Sequence, residues 1–208
     1  KELAEPSKQK IYSADFETFM EDGEMVVYAA CIIRIDTLQP DPSKSKGKIF
    51  YGKNSIDEFC KFIYKLRATI IFYNGSRFDY YFILRWMLIN HLPVKEFSKD
   101  VKGNKITCFK FKNIQLWDLC LFTNSSLASL CRSLKIDDKY WKSSFDHRKV
   151  FSWESAEEHK KEVSAYIKLD VVSLGLCYIK FSDSMFKLYN MHPLTSLTLS
   201  SFAYDVWR

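Results

Sequence analysis

Ile11-Tyr12-Ser13-Ala14-Asp15-Phe16-Glu17-Thr18 is a short apolar run that ends in two acids with one residue between them. Side chains alternate across a β-strand, so Asp15 and Glu17 point to one face, and Ala14 and Phe16 point to the other, into a core. Two adjacent carboxylates repel each other, and a bound divalent cation relieves that repulsion. The stretch therefore reads as the central strand of a metal-dependent nuclease site. In a chain with 25 acids, an acid-x-acid step also occurs on solvated strands. The motif alone leaves both readings open.

Outward from this strand, the pattern is that of an α/β domain. Glu21-Asp22-Gly23-Glu24 is a turn signal, and residues 25–35, rich in Val, Ile, Tyr and Ala, read as a strand pairing back on the first. Residues 36–46 form a loop and 48–51 a third strand, which completes a meander. Ser55 reads as the N-cap of a helix with Asp57 and Glu58 in its first turn. Phe59, Phe62, Ile63 and Leu66 follow at helical spacing. Residues 69–73 form a strand too apolar to face water, and 81–88 an apolar helix. Residues 106–111 and 114–120 read as a hairpin about Lys112-Asn113. Ser125-Ser126 caps a helix carrying Leu127, Leu130, Cys131 and Leu134. Residues 135–149 are basic and irregular; 153–189 form one long helix opening on a capping box at Ser155-Ala156-Glu157-Glu158, with Pro193 beyond. The expected architecture is a mixed sheet flanked by helices.

Composition narrows the class. The net charge of +6 is a mild lean toward polyanions. The six cysteines are scattered, with no C-x-x-C pair, which argues against a zinc site or a disulfide framework. They point to a reducing compartment: the cytoplasm, or the mitochondrial matrix for a plasmid-borne gene. There is no apolar run of membrane-spanning length and no signal-peptide pattern, so no membrane partner is expected. The chain begins at Lys1, as an excised piece of a longer protein would.

Two further acidic elements sit downstream. Asp79 follows a buried strand at the start of a helix, where ligand sites of open α/β sheets gather. Asn74 precedes it, and Phe78 beside it could stack on a base. Tyr166 and Asp170 are four residues apart, on one face of the long helix. Each element alone has a plain structural reading, as a helix-cap Asp beside a core Phe and as a surface Asp beside a Tyr.

In order, the chain offers Asp-x-Glu on a strand, Asn-x-x-x-Phe-Asp after a strand, and Tyr-x-x-x-Asp on a helix. This resembles the three motifs of the Asp-Glu-Asp-Asp exonucleases with a Tyr in the third motif, whose fold is ribonuclease-H-like. More narrowly, it resembles the proofreading domain of the protein-primed family B DNA polymerases of phages, adenoviruses and linear plasmids. Ser126-Leu127, with Leu130 beyond, matches that family's Ser/Thr-Leu motif, and Lys142-Ser143-Ser144-Phe145 matches its Lys-x-x-hydrophobic motif. Lys139 or Lys149 could take the place of Lys142.

The resemblance implies a 3′–5′ exonuclease acting on single-stranded DNA with two Mg²⁺ or Mn²⁺ ions. It implies Asp15, Glu17, Asp79 and Asp170 as metal ligands, and Tyr166 and Lys142 as further catalytic residues. Asn74, Phe78, Ser126 and Leu127 would grip the terminal nucleotides. Residues 1–10 would be a lead-in, 11–190 the exonuclease domain, and 191–208 the start of a following segment or a linker to a polymerase domain. A terminal protein is a possible partner. A free-standing nuclease of the same fold on RNA or DNA, and an inert binding module for single strands or terminal protein, stay open.

Overall fold

Strand β1 (Lys10–Glu21) runs four residues past the motif and turns through Asp22-Gly23 into β2 (Glu24–Arg34). Both turn residues have positive φ, 50° and 82°, which Asp tolerates and Gly adopts freely. The structure is a computed structural model that describes residues 10–92, 97–140 and 145–208. β2 pairs antiparallel with β1 on one side and with β3 (Gly47–Tyr51) on the other, which is the meander read from the sequence. Helix α1 (Ser55–Ile63) then leads to β4 (Ala68–Phe72), which lies parallel to β1 and is buried at every position. Helix α2 (Asp79–Ile89) precedes three strands, β5 (Phe97–Lys102), β6 (Lys105–Phe111) and β7 (Ile114–Asp118). The seven-stranded sheet has the order β3-β2-β1-β4-β7-β6-β5, with β1, β4 and β7 parallel and the other neighbours antiparallel.

Both faces of the sheet are covered, which is why its central strands carry so little polar surface. On one face, Ala14 and Phe16 of β1 and Ile70 and Phe72 of β4 pack against α1 and α2 through Phe59, Ile63, Tyr80 and Ile83. On the other face lies α6 (Lys160–Tyr189), a 30-residue helix whose Ile167, Val171, Leu174 and Cys177 join Cys31, Ile33 and Ile71. Short helices α3 (Cys120–Thr123) and α4 (Leu127–Ser133) follow β7. Helix α5 (Trp153–Glu158) precedes α6, and α7 (Leu199–Trp207) follows it.

The structure departs from the sequence reading in local detail. Ser55 lies inside the first turn of α1, and its hydroxyl donates to the Val27 carbonyl, so it ties the helix to β2 instead of capping. The stretch read as one helix is broken at His159. Its capping box is Ser152 with Ser155, one turn earlier than the pattern at residues 155–158 indicated. Asn190, in the left-handed region, ends α6 before Pro193 is reached. The hairpin acquires a third strand, β5, which the sequence reading omitted. Ser126 does cap α4, accepting from the Ser129 N–H. Among the described residues, no helix is long and apolar enough to cross a membrane.

Candidate active site

β1 pairs with β4 only from Lys10 to Ser13. Beyond that point β1 continues alone on this side, and the two strands part to leave a crevice at the carboxyl end of β4. Asp15 and Glu17 stand on the stretch of β1 that has outrun its partner. This is where open α/β sheets place their ligands, because backbone and side chains there are free to face a guest.

α6 closes the crevice from the other side. Ser13 Oγ donates to the Val171 carbonyl at 2.8 Å, which pins the helix to the strand. Gly175 permits the close approach, since a Cβ there would lie 2.8 Å from Leu38 Cδ1 and 3.1 Å from Ser13 Oγ. Asp170, adjacent to the pinned residue, is thereby held against β1. One carboxylate oxygen each from Asp15, Glu17 and Asp170 lies within 4.8 Å of the others. Asp170 is 3% exposed, Glu17 7%, and Asp15 is half-buried. Three carboxylates so close and so poorly hydrated suit a hard divalent cation with oxygen ligands.

Asp79 is the first residue of α2 and does not cap it. It is buried, and its Oδ1 has no hydrogen-bond partner. Burial pushes its carboxyl up to about 8, with the charges of Asp118 and Glu17 adding to the effect. A buried carboxylate oxygen without a partner is costly unless a cation or water completes it. The donor set and the orphaned oxygen both fit a metal.

Tyr166, one turn before Asp170, is 2% exposed. Its phenol is raised well above the ordinary range, first by burial and then by the charges of Asp170 and Glu17. It therefore keeps its proton at any ordinary pH, and can orient a water but cannot act as a base. The Tyr166 hydroxyl lies 3.3 Å from His147 Nε2, and His147 Nδ1 lies 3.3 Å from Glu17 Oε2.

A cleft of about 500 Å³ opens onto Asp15 and Asp170, with Asn74, Arg77, Ser126 and Leu127 among its other lining residues; Glu17 and Asp79 are not in that lining. Of the expected nucleotide-gripping residues, Asn74, Ser126 and Leu127 thus share one cleft with two of the acids. Phe78 is not in that lining; it is half-buried and meets the Phe82 ring edge-on, with centroids 5.2 Å apart. Lys142 lies outside the described residues, while Lys139 pairs with Asp137 and Lys149 with Glu162 on the surface.

Two residues next to the site escaped the sequence reading. Asp118, at the end of β7 and 2% exposed, accepts from the N–H groups of Asn74 at 2.8 Å, Ser76 at 3.0 Å and Cys120 at 2.9 Å. Burial raises its carboxyl, and these N–H groups partly offset the rise. It holds Asn74 in the left-handed turn (φ 64°) that delivers the chain to Asp79. A clue was present: Asp118 ends an apolar alternating strand where a surface residue would be expected. His147 had no comparable signal, because its stretch reads only as basic and irregular.

Residues 60–160 match the family described as DNA polymerase type B, organellar and viral. No curated protein sequence matches the chain. The structure of Phi29 DNA polymerase complexed with primer-template DNA is 20% identical over 85% of this chain and 32% of that one, with a TM-score of 0.67. The same polymerase complexed with single-stranded DNA gives the same values. The family B DNA polymerase from the hyperthermophilic archaeon Pyrobaculum calidifontis is 14% identical over 89% of this chain and 25% of that one, with a TM-score of 0.63. The fold is the ribonuclease-H-like α/β sheet of the Phi29 polymerase exonuclease domain. This chain spans about a third of the Phi29 polymerase's length.

Proposed function

We infer, from a match that supports the exonuclease region of a protein-primed family B DNA polymerase, that this chain removes nucleotides from the 3′ end of single-stranded DNA. The observation that carries the reading is the convergence of Asp15, Glu17 and Asp170 within 4.8 Å, with Asp15 and Asp170 lining a cleft. Similarity to family B polymerases supports a polymerase-associated role; the exonuclease step is the finer proposal.

Asp15, Glu17 and Asp170 would hold one divalent ion, and Asp79, with its unpartnered oxygen, would serve a second. When bound, a pair of Mg²⁺ or Mn²⁺ ions supplies hydroxide from water and stabilises charge on the leaving oxygen. The chain's own groups do the rest. Tyr166 keeps its proton and presents a neutral hydroxyl that orients the attacking water. Asn74 sits on a turn held rigid by Asp118, so its side chain meets a terminal nucleotide with little further loss of freedom. Ser126 and Leu127, at the start of α4, flank the strand from the other wall, and Arg77 offers a cation to its phosphates. Phe78 and Lys142 enter on the motif match alone.

Residues 11–190 would form the nuclease unit, with a polymerase domain in the same longer chain, terminal protein as a further partner and a reducing compartment as its location. The test uses a single-stranded DNA oligonucleotide labelled at its 5′ end, with the matching RNA in parallel. The wild type should shorten the DNA stepwise from its 3′ end in Mg²⁺ and leave it whole in chelator. A protein that binds the strand without shortening it in Mg²⁺ or Mn²⁺ would be an inert binding module, and the proposal would be withdrawn.

A further inference from the structure

We propose that His147 is a positioning residue of this site, tying the Glu17 carboxylate on β1 to the Tyr166 hydroxyl on α6. The proposal rests on the nuclease reading above. It is drawn from a side chain that no motif singled out, and whose two ring nitrogens meet two different parts of the candidate machinery.

The turn that carries His147 is locked from within. It is a single 3₁₀ turn, His147–Lys149, capped by Asp146, whose carboxylate accepts from the Arg148 N–H at 3.1 Å. The Arg148 guanidinium donates back to the same carboxylate at 2.9 and 3.0 Å. Ahead of the turn, Phe145 packs against both rings, its centroid 5.6 Å from that of His147 and 5.6 Å from that of Tyr166. The His147 and Tyr166 rings meet edge-on at 5.2 Å. The imidazole, though half exposed, is therefore held in place by the rings beside it.

Its chemistry follows from its partners. A carboxylate only accepts, so Nδ1, 3.3 Å from Glu17 Oε2, carries a proton. Nε2 is then the acceptor, and the Tyr166 hydroxyl, 3.3 Å away, donates to it. The imidazole thus fixes the direction of the hydroxyl proton with one nitrogen and holds one Glu17 oxygen with the other, leaving the second Glu17 oxygen to the acid cluster. Hydrogen bonds that orient a metal-ligating carboxylate are worth 10–100-fold in metal affinity or activity, by general experience of such sites. The His147 side chain is about half exposed, at 51%, so shortening it opens no core cavity and the variants should fold.

The experiment measures Mn²⁺ binding without DNA, by the loss of the free-ion electron spin resonance signal, and separately steady-state degradation of a single-stranded oligonucleotide in Mg²⁺. His147→Ala should bind Mn²⁺ at least tenfold more weakly and lose at least tenfold in kcat, with KM for the strand within twofold of wild type. His147→Asn places an amide donor near the position of Nδ1 and should recover most of the Mn²⁺ affinity. A His147→Ala protein that binds Mn²⁺ like the wild type overturns the inference, as does one whose defect lies in KM. An Asn variant no better than Ala would assign the effect to ring packing and also overturns it. A wild type that neither binds Mn²⁺ nor shortens DNA overturns the nuclease reading instead, so the two failures are separable.

Discussion

Replacing Asp79 by asparagine removes one ionisation and almost no volume, which isolates the cost of keeping a carboxylate in this crevice. The group is 3% exposed, and burial, Asp118 and Glu17 raise its carboxyl from 3.8 to about 8. A folded value above the unfolded one means that the native state binds the extra proton between those pH values. The metal-free wild type then keeps its full stability below about pH 4 and loses stability as pH rises toward about 8. With about 1.4 kcal/mol per unit, the loss is roughly 2 kcal/mol at pH 5 and on the order of 4 kcal/mol at pH 7. For a domain of this size, each kcal/mol moves Tm by about 2–4 °C. In chelator, the Tm of Asp79→Asn should therefore pull ahead of wild type by roughly 5–10 °C more at pH 7 than at pH 5. Excess Mg²⁺ should shrink that gap, because a bound cation favours the ionised acid. The assay is calorimetric or fluorescence melting of both proteins at pH 5, 6 and 7, with and without Mg²⁺. Parallel Tm profiles for the two proteins in chelator would refute the reasoning, since Asp79 would then not be a strained acid in the folded protein.

Three further outcomes can be checked on the same material. Asp15→Ala should abolish DNA shortening in Mg²⁺ while holding or raising the chelator Tm, because it removes a repelling charge from a group whose oxygens lie within 4.8 Å; retained cleavage would remove Asp15 from the machinery. Leu127→Ala should weaken single-strand binding, measured by fluorescence anisotropy in Ca²⁺, more than Phe78→Ala does, because Leu127 lines the cleft and Phe78 leans on Phe82; the reverse order would show that the phenyl ring swings out to meet a base. Gly175→Ala should cost about 1–3 kcal/mol in denaturant unfolding, since its Cβ would press on Leu38 and Ser13, and it should lower turnover by moving Asp170 away from β1; an unchanged midpoint would mean that the helix–strand contact has slack.

What could be read without coordinates was whatever depends on short-range pattern. The alternation of Ser13, Ala14, Asp15, Phe16 and Glu17 assigns each to a face, because the strand period is two wherever a strand forms. The four-residue spacing of Tyr166 and Asp170 puts them on one face of a helix by the same kind of rule. The order of the three acidic motifs, and the likeness to family B polymerases that it carries, lies wholly in the chain. Element ends were less legible: Ser55 reads as a cap, yet its hydroxyl bonds the Val27 carbonyl 28 residues away, which only tertiary packing can specify.

Tertiary structure alone decided the rest. That Glu17 and Asp170, 153 positions apart, share a site depends on how far β1 outruns β4 and on the close seat of α6 at Gly175. The partners of Asp118 and His147 were hidden for the same reason, although the place of Asp118 at the end of an apolar strand was a clue to the first. Each acts on partners far away in sequence, Asp118 on Asn74 and His147 on Glu17, and a local pattern carries no information about such pairs. Phe78 shows the opposite case: the motif offers it to a nucleotide, while the packing of α2 gives its ring an aromatic neighbour. Periodicity fixes the direction of a side chain relative to its own element; what that side chain meets depends on where the long-range packing sets the next element down.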